Sequence, residues 1–250
     1  MKQVTIIRRW KSDFFVKEAF NTFRTNVLFC GKSIKTIVVT SCMDSEGKST
    51  IAYELARGFA DNGERVLFID SDLRKSVFAL NAKVDGTIVG LSQILSGQVS
   101  LEDATYATDT KNLDMIFAGP FPPNPAELLT SEDFRTLLST LREQYDHVII
   151  DTAPLGLVVD AAVIARICDG AILVVNRGQI KSRMAQSVKQ QLERSGCQIL
   201  GAVLNQTTRR GGHFGYGYYY DHYGHRRAYR SAYRYGGKAL PEAKPAKDKK

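Results

Sequence analysis

The sequence predicts an α/β protein built on a doubly wound, mostly parallel sheet. Short apolar segments recur along the chain, amphipathic segments with helical spacing lie between them, and a polar residue follows nearly every apolar segment. Near-continuous apolar character is typical of strands covered on both faces, and regular alternation with helices is typical of parallel pairing. Because such sheets bind ligands beyond the carboxyl ends of their strands, the polar residues at those ends are the candidate site residues.

Six strands and four helices are expected. The expected strands span residues 35–41, 65–72, 113–119, 147–154, 171–177 and 199–205, and the expected helices span 12–29, 49–63, 130–144 and 182–196. Gly63 and Gly196 suit the carboxyl ends of two of these helices, since glycine readily adopts the left-handed conformation that ends a helix.

Length and composition favour one domain, residues 1–208, followed by a tail, residues 209–250. A chain of 250 residues with 44% hydrophobic composition can bury a sizeable core. Neither a long apolar stretch nor a signal-peptide pattern is present, so we expect a cytoplasmic protein. The four cysteines form no C-x-x-C pair, which favours reduced, buried thiols and argues against an iron–sulfur carrier.

The tail has an unusual composition. It holds eight of the eleven tyrosines and eleven Lys and Arg residues against three Asp and Glu, whereas residues 1–208 carry equal numbers of basic and acidic residues. The formal charge of +8 therefore lies on the tail. With few aliphatic residues and a high charge, the tail is expected to be disordered.

The segment TSCMDSEGKST, residues 40–50, has the context of a Walker A phosphate-binding loop. It follows an expected strand and precedes an expected amphipathic helix, whose amino terminus favours anions. We expect phosphate contacts from Asp44, Ser45, Glu46, Gly47, Lys48, Ser49 and Thr50. Backbone amides would surround the phosphates, Lys48 would reach the terminal phosphates, and Ser49 would bind Mg²⁺. Cys42 replaces the first glycine of the usual pattern.

Three aspartates end two of the expected strands. Asp70 and Asp72 follow one strand, and Asp151 ends another. Carboxylates beside a phosphate loop suit Mg²⁺ binding and proton transfer, although one aspartate alone would also suit a helix cap.

These motifs together resemble the bacterial tyrosine kinases of the CpsD/CapB type, a family within the MinD/ParA-like branch of P-loop NTPases. The resemblance rests on EAFNTFRTNVLF, the Walker A loop, VLFIDSDLRKS, GPFPPNPAELLTS, VIIDTAP, AILVVNRG, LGAVLN and the carboxyl-terminal tyrosine cluster. It implies a non-specific protein-tyrosine kinase that uses ATP and Mg²⁺, phosphorylates its own tail in trans and regulates capsule or exopolysaccharide synthesis and export.

The resemblance also implies roles for individual residues. Lys48 and Ser49 would hold MgATP, with Asp72 and Asp151 acting on the metal. Asp70 would accept the tyrosine proton, and Asn205 would contact adenine. The expected phosphorylation sites are Tyr216, Tyr218, Tyr219, Tyr220, Tyr223, Tyr229, Tyr233 and Tyr235.

The implied partners are a membrane activator of the polysaccharide co-polymerase type, a cognate tyrosine phosphatase and further copies of the chain. The activator would recruit the kinase to the inner face of the plasma membrane, and Trp10, Phe14 and Phe15 are candidate contacts. A family motif, E-x-x-R-x-x-R, joins subunits into a ring. Here Asn21 replaces one arginine, which puts a stable ring in doubt.

Other interpretations stay open at this point. A MinD/ParA-like positioning ATPase would share the phosphate loop, but Met43 stands where those ATPases carry a lysine. A nucleotide-binding scaffold is a third class. The tail's tyrosines and arginines would also suit single-stranded nucleic acid, a disfavoured partner, or anionic lipid. Arg74 and Lys75 would help to hold phosphate or an acidic neighbour, or would form solvated charge pairs. The tail histidines suggest a metal site only weakly.

Overall fold

The computed structural model describes residues 2–7, 14–84 and 86–207. The strands found there are β1 (Lys2–Ile6), β2 (Thr36–Ser41), β3 (Val66–Asp70), β4 (Ala82–Val84), β5 (Thr105–Thr108), β6 (Leu113–Ile116), β7 (His147–Asp151), β8 (Gly170–Asn176) and β9 (Ile199–Asn205). The helices are α1 (Phe14–Phe29), α2 (Lys48–Asp61), α3 (Leu91–Leu95), α4 (Leu101–Ala104), α5 (Pro125–Thr130), α6 (Glu132–Gln144), α7 (Asp160–Ala165) and α8 (Ser182–Arg194), with a 3₁₀ turn at Ala79–Asn81.

All of these strands belong to one sheet, in the order β4-β1-β5-β6-β3-β7-β2-β8-β9. Six of the eight pairings are parallel, and only β1 with β4 and β5 with β6 are antiparallel. The expected mostly parallel sheet is thereby confirmed. Strands β3, β7 and β2 are neighbours, so their carboxyl ends meet at one edge.

Helices cover both faces of the central strands, because successive side chains of a strand point to opposite faces. On β2, Val38 packs in the cluster that includes α6, α7 and α8, whereas Ile37 and Val39 pack in the cluster that includes α2. All three side chains are fully buried. Burial on both faces explains why these strands are apolar along their whole length.

The six expected strands and four expected helices are all present, with ends shifted by a few residues. Gly63 and Gly196 have positive φ angles just beyond α2 and α8, as expected at the ends of helices. Strands β1, β4 and β5 were not expected. In β1 only Val4 and Ile6 are buried among polar neighbours, so its sequence lacks the continuous apolar character of the central strands.

Helix α1 packs on the core less fully than its sequence suggests. Val27 is its one buried side chain, and Phe20 and Phe23 are partly buried against the cluster around α2. Leu28 does not join this packing, since its side chain is 40% exposed. Arg24 donates from Nη1 to the carbonyl oxygen of Gly58 at 2.8 Å, which fastens α1 to α2.

The four cysteines are free; Cys42 and Cys197 are buried as expected, whereas Cys30 and Cys168, which lie in the connections after α1 and α7, are only partly buried. No helix in the described ranges has the length and hydropathy of a membrane span.

Candidate active site

The phosphate loop connects β2 to α2 at the carboxyl edge of the sheet. Gly47 caps α2 with a φ of 83°, a left-handed conformation that glycine adopts readily. A Cβ at Gly47 would also lie 2.2 Å from Nδ2 of Asn205, so another residue here would strain the backbone and displace the Asn205 side chain. The amino terminus of α2 is directed at the loop, and its partial positive charge favours an anion there.

Lys48 lies among carboxylates from the two neighbouring strands. Its Nζ is 3.4 Å from Oδ2 of Asp72 and 3.7 Å from Oδ1 of Asp151. The same Nζ is 3.3 Å from Oγ of Ser49. Burial opposes a charge on Lys48, but the charge of Asp151 and its acidic neighbours outweighs burial and raises the pKa of the ammonium group. Lys48 is therefore a fixed cation at this edge of the sheet.

Asp70 is buried at the end of β3 and lies directly opposite Asp151 in the register of β3 with β7. Its Oδ1 accepts a hydrogen bond from the Asp72 amide at 3.2 Å, and its Oδ2 accepts a short hydrogen bond from the Ser76 hydroxyl. Burial, and next the charge of Asp151, raise the pKa of Asp70 to about 7, although the hydrogen bond from Ser76 opposes this. A carboxyl group with such a pKa can accept a proton near neutral pH.

The two oxygens of Asp72 have different surroundings. Oδ1 accepts hydrogen bonds from the amides of Arg74 and Lys75, at 3.3 and 3.0 Å, while Oδ2 is directed at Lys48. The backbone hydrogen bonds fix the orientation of the carboxylate, so that one oxygen is held toward the phosphate loop.

Asp151 provides the observation that bears on a metal ion. Its Oδ1 is buried and makes no hydrogen bond among the described residues, with the Lys48 ammonium 3.7 Å away. Burial raises the pKa of Asp151, and Lys48 acts in the opposite direction. Nowhere in the described ranges, this site included, are three or more His, Cys, Asp or Glu side chains arranged to hold a metal by themselves. A buried oxygen without a hydrogen bond, with Asp72 and Ser49 nearby, still fits Mg²⁺, which takes few protein oxygens beside phosphates and water.

Other expected phosphate-loop residues are placed as follows. Asp44 is exposed and pairs with Lys75, whose Nζ is 3.1 Å from Oδ2 of Asp44. Ser45 has a φ of 62°. Thr50 lies in the first turn of α2. Asn205, at the end of β9, donates from Nδ2 to the carbonyl oxygen of Glu46 at 2.8 Å. Its expected contact with adenine stays a prediction.

The segment after β7 approaches the phosphate loop closely, which the sequence did not indicate. A Cβ on Gly156 would lie 2.0 Å from the carbonyl oxygen of Cys42. Four residues later, the buried carboxylate of Asp160 accepts hydrogen bonds from the guanidinium of Arg74. Of the roles considered for Arg74, the structure thus supports pairing with an acidic neighbour.

Some expectations concern residues outside the described ranges. The eight tail tyrosines, the tail histidines and Trp10 belong to this group, as does the boundary after residue 208.

Similarity to known proteins decides the family. Residues 34–193 match the AAA domain family. The tyrosine-protein kinase CpsD of Streptococcus agalactiae serotype Ia is 43% identical over 192 residues, which cover 77% of this chain and 83% of the relative. The chain belongs to the bacterial tyrosine-protein kinases.

Solved structures agree with membership of the bacterial tyrosine kinases. The kinase domain of the Escherichia coli tyrosine kinase ETK is 28% identical with a TM-score of 0.72, covering 85% of this chain and 94% of that chain. MinD of Pyrococcus horikoshii, solved with Mg-ADP, is 24% identical with a TM-score of 0.59, covering 75% of this chain and 76% of that chain. The likeness to MinD shows the fold alone, that of a P-loop NTPase.

Proposed function

We propose that this tyrosine kinase transfers the γ-phosphoryl group of ATP to tyrosines in the tail of another copy of the chain. The observation that carries the proposal is the convergence of Lys48, Asp70, Asp72 and Asp151 beside the phosphate loop. Phosphoryl transfer depends mainly on alignment and charge neutralisation, which such a set can supply. The tail offers eight tyrosines, and the relative's name supports tyrosine as acceptor.

Each residue of the set has a proposed role. The amides of residues 44–49 bind the phosphates together with Lys48, whose charge the surrounding carboxylates maintain. Asp70 accepts the phenolic proton, because its raised pKa is close to neutral. Asn205 orients adenine. Because Lys48 lies against these carboxylates, β3 and β7 would hold them close to the phosphates that Lys48 binds.

Ser49, Asp72 and Asp151 are the residues that would hold Mg²⁺. The ion supplies neutralisation of the charge on the phosphates when it is bound. The protein's part is to present oxygens that are already oriented. Asp72 is held by two backbone amides, and the buried Oδ1 of Asp151 makes no hydrogen bond in the described part of the chain.

The tail is proposed to be both substrate and switch. Unmodified, it carries eight net positive charges, and each phosphotyrosine adds about −1.5 to −2. Phosphorylation of several tyrosines would cancel the attraction of the tail for an acidic site on another subunit. Copies of the chain would then assemble when unmodified and separate when modified, and a cognate tyrosine phosphatase would reverse the change.

The proposed cellular role is control of capsule or exopolysaccharide synthesis and export. A membrane activator of the polysaccharide co-polymerase type would bring the kinase to the inner face of the plasma membrane and activate it. Phe14 and Phe15 are candidate contacts for it, since they are 56% and 50% exposed on α1. The reaction class proposed is that of a non-specific protein-tyrosine kinase, in which ATP and protein tyrosine give ADP and protein phosphotyrosine.

Incubation with γ-labelled ATP and Mg²⁺, followed by mass spectrometry of the tail, tests the proposal. The chain is assayed with and without a cytoplasmic fragment of the activator. We expect label on tyrosines of residues 216–235. Release of free phosphate without tyrosine labelling, with the activator present, would show a positioning ATPase instead.

Matched lysine variants serve as controls. Lys48→Met should abolish labelling, whereas Lys189→Met should retain it, because Lys189 lies on α8 paired with Glu193. To test for trans transfer, Lys48→Met is mixed with active chain that lacks residues 209–250. Labelled tyrosine on the Lys48→Met chain shows transfer between molecules.

A further inference from the structure

The side chain of Glu46 lies within the phosphate loop and is buried, with 1% of its surface exposed. Three backbone amides donate to its carboxylate. Those of Cys42 and Met43 bind Oε2 at 2.6 and 3.0 Å, and that of Asn176 binds Oε1 at 3.0 Å. Hydrogen bonds from amides to a carboxylate are stronger than those between neutral groups, so this contact is a firm attachment.

The two oxygens of Glu46 hold different parts of the fold. Oε2 accepts hydrogen bonds from the first residues of the loop, beginning with Cys42, whereas Oε1 joins the loop to Asn176, the last residue of β8. Strand β8 pairs with β2 over five residue pairs, and β2 leads into the loop. Glu46 therefore ties the loop to two central strands of the sheet.

The backbone carbonyl groups of Ser45 and Glu46 accept hydrogen bonds from side chains at the end of β9 and directly after it. Asn205 donates to the carbonyl oxygen of Glu46 at 2.8 Å, and Nε2 of Gln206 donates to that of Ser45 at 3.4 Å. Nδ2 of Asn176 donates to Oε1 of Gln206 at 2.7 Å, which joins the ends of β8 and β9. Side chain and main chain of Glu46 are thus both fixed by contacts more than a hundred residues away in sequence.

We propose that Glu46 is a positioning residue for nucleotide binding, whose carboxylate shapes the phosphate loop so that it receives the nucleotide's phosphates. It would do so by engaging the amides of Cys42 and Met43, which leaves the later amides of the loop directed at the phosphates. A loop that is already shaped loses less conformational freedom when ATP binds. The inference rests on the proposed function of this loop as the ATP site.

Glu46→Gln tests the inference while changing few atoms. An amide has only one acceptor oxygen, so either Asn176 or the pair Cys42 and Met43 would face an N–H group instead of an acceptor. A buried amide without an acceptor is costly, and we expect the affinity for a fluorescent ADP analogue to fall about tenfold or more.

Glu54→Gln is the matched control. Glu54 is a second buried glutamate, 2% exposed, on α2, and its carboxylate pairs with Arg57 at 2.8 Å. Both variants lose a buried carboxylate, so both should lower the melting temperature of the nucleotide-free protein. Only Glu46→Gln should lose ADP affinity. Equal ADP affinity of the two variants would overturn the inference.

Hydrogen exchange of the unaltered protein gives a second test if Glu46→Gln does not fold. Without nucleotide, the amides of Cys42 and Met43 should exchange slowly, because Glu46 already binds them. Fast exchange that slows only on adding ADP would overturn the inference. These measurements need no phosphoryl transfer. Protein that binds ADP but never labels tyrosine would contradict the proposed function and leave the role of Glu46 intact.

Discussion

Arg74 donates from Nε to Oδ2 of Asp160 at 2.6 Å and from Nη2 to Oδ1 at 3.0 Å, so one guanidinium joins the segment after β3 to the first residue of α7. The carboxylate side chain is 1% exposed, whereas the arginine side chain is 36% exposed. The planar fork of arginine matches a carboxylate in a way that lysine does not. The pair holds together the segments that follow Asp72 and Asp151 in the chain.

Arg74→Ala should lower the free energy of unfolding by about 2 kcal/mol, because it leaves a buried carboxylate without its cation. Urea unfolding at pH 7.5 measures the change. The double variant Arg74→Ala with Asp160→Asn should recover part of the loss, since the remaining partner is then neutral. Equal stability of Arg74→Ala and the unaltered protein would contradict a structural role for the pair.

Gly156→Ala should disturb the phosphate loop from a neighbouring segment. Its Cβ would lie 2.0 Å from the carbonyl oxygen of Cys42 and 2.9 Å from Cε of Met184, so the backbone must move. We expect a loss of roughly 1–3 kcal/mol in stability together with weaker ADP binding. Calorimetry and nucleotide titration measure the two effects.

Gly201→Ala is the control for Gly156→Ala, because a Cβ at Gly201 meets nothing within 4 Å. It should bind ADP normally. Equal stability and equal ADP affinity of the two alanine variants would mean that the close approach of Gly156 to the phosphate loop does not affect nucleotide binding.

Asp70→Asn should separate proton transfer from nucleotide binding. Loss of a general base typically lowers a rate by roughly 10²–10⁴-fold. We expect a fall of that order in the single-turnover rate of tyrosine phosphorylation, while ADP affinity changes little. Rapid quench with labelled ATP measures the rate. An Asp70→Asn protein that phosphorylates at the normal rate would remove Asp70 from the proposed mechanism.

We expect the folded protein to lose stability in acid because of His147. Burial against the ring of Phe59, at 4.0 Å between centroids, lowers the pKa of His147, although Glu64 and Asp146 raise it and Lys35 lowers it further. The lowered pKa means that the folded protein favours the neutral imidazole of His147, whereas the ordinary pKa of histidine is 6.5. The stability that the neutral ring contributes is therefore present above pH 6.5 and is lost as the pH falls below that value. The buried Nδ1 has no acceptor among the described residues, which adds to the cost of protonation.

Unfolding by urea at pH 7.5 and 5.5 should therefore show a smaller difference for His147→Gln than for the unaltered protein. Glu64→Gln should show a larger difference, because it removes the carboxylate that lies 2.8 Å from Nε2 and favours the charged ring. Identical pH dependence in all three proteins would exclude His147 as the source.

Replacement of all eight tail tyrosines by glutamate should weaken self-association, since eight negative charges cancel the tail's +8. Sedimentation velocity should show smaller species than for the unaltered chain at low salt. The variant with eight phenylalanines keeps the charge and should assemble normally. Equal assembly of the glutamate and phenylalanine variants would mean that charge on the tail does not control association.

Local sequence signals account for much of the fold and of the candidate site. The central strands are apolar along their length because helices cover both faces, so each could be identified alone. The phosphate loop has a characteristic sequence, and the acidic residues directly follow or end apolar strands. Strand β5, TYAT, has no such signal, and its pairing with β1 depends on residues about a hundred positions away.

The supporting contacts of the site could not be predicted in the same way. Glu46 and Asn176 are 130 positions apart, and Arg74 and Asp160 are 86 apart, so no local pattern joins them. One signal did exist for Glu46. A carboxylate in a loop that binds phosphates is an electrostatic conflict unless it is turned away, and this conflict would have predicted a buried, amide-bound side chain.

The position of β1 has a consequence for biosynthesis. In the sheet it lies between β4 and β5, and both of these partner strands follow it in the chain and are translated later. The backbone hydrogen-bonding groups on both edges of β1 therefore have no partner strands until β4 and β5 have been translated. A nascent chain with unpaired strand edges is prone to aggregation. Pairing of β1 with β4 and β5 should therefore be a late step of folding and one where chaperones assist.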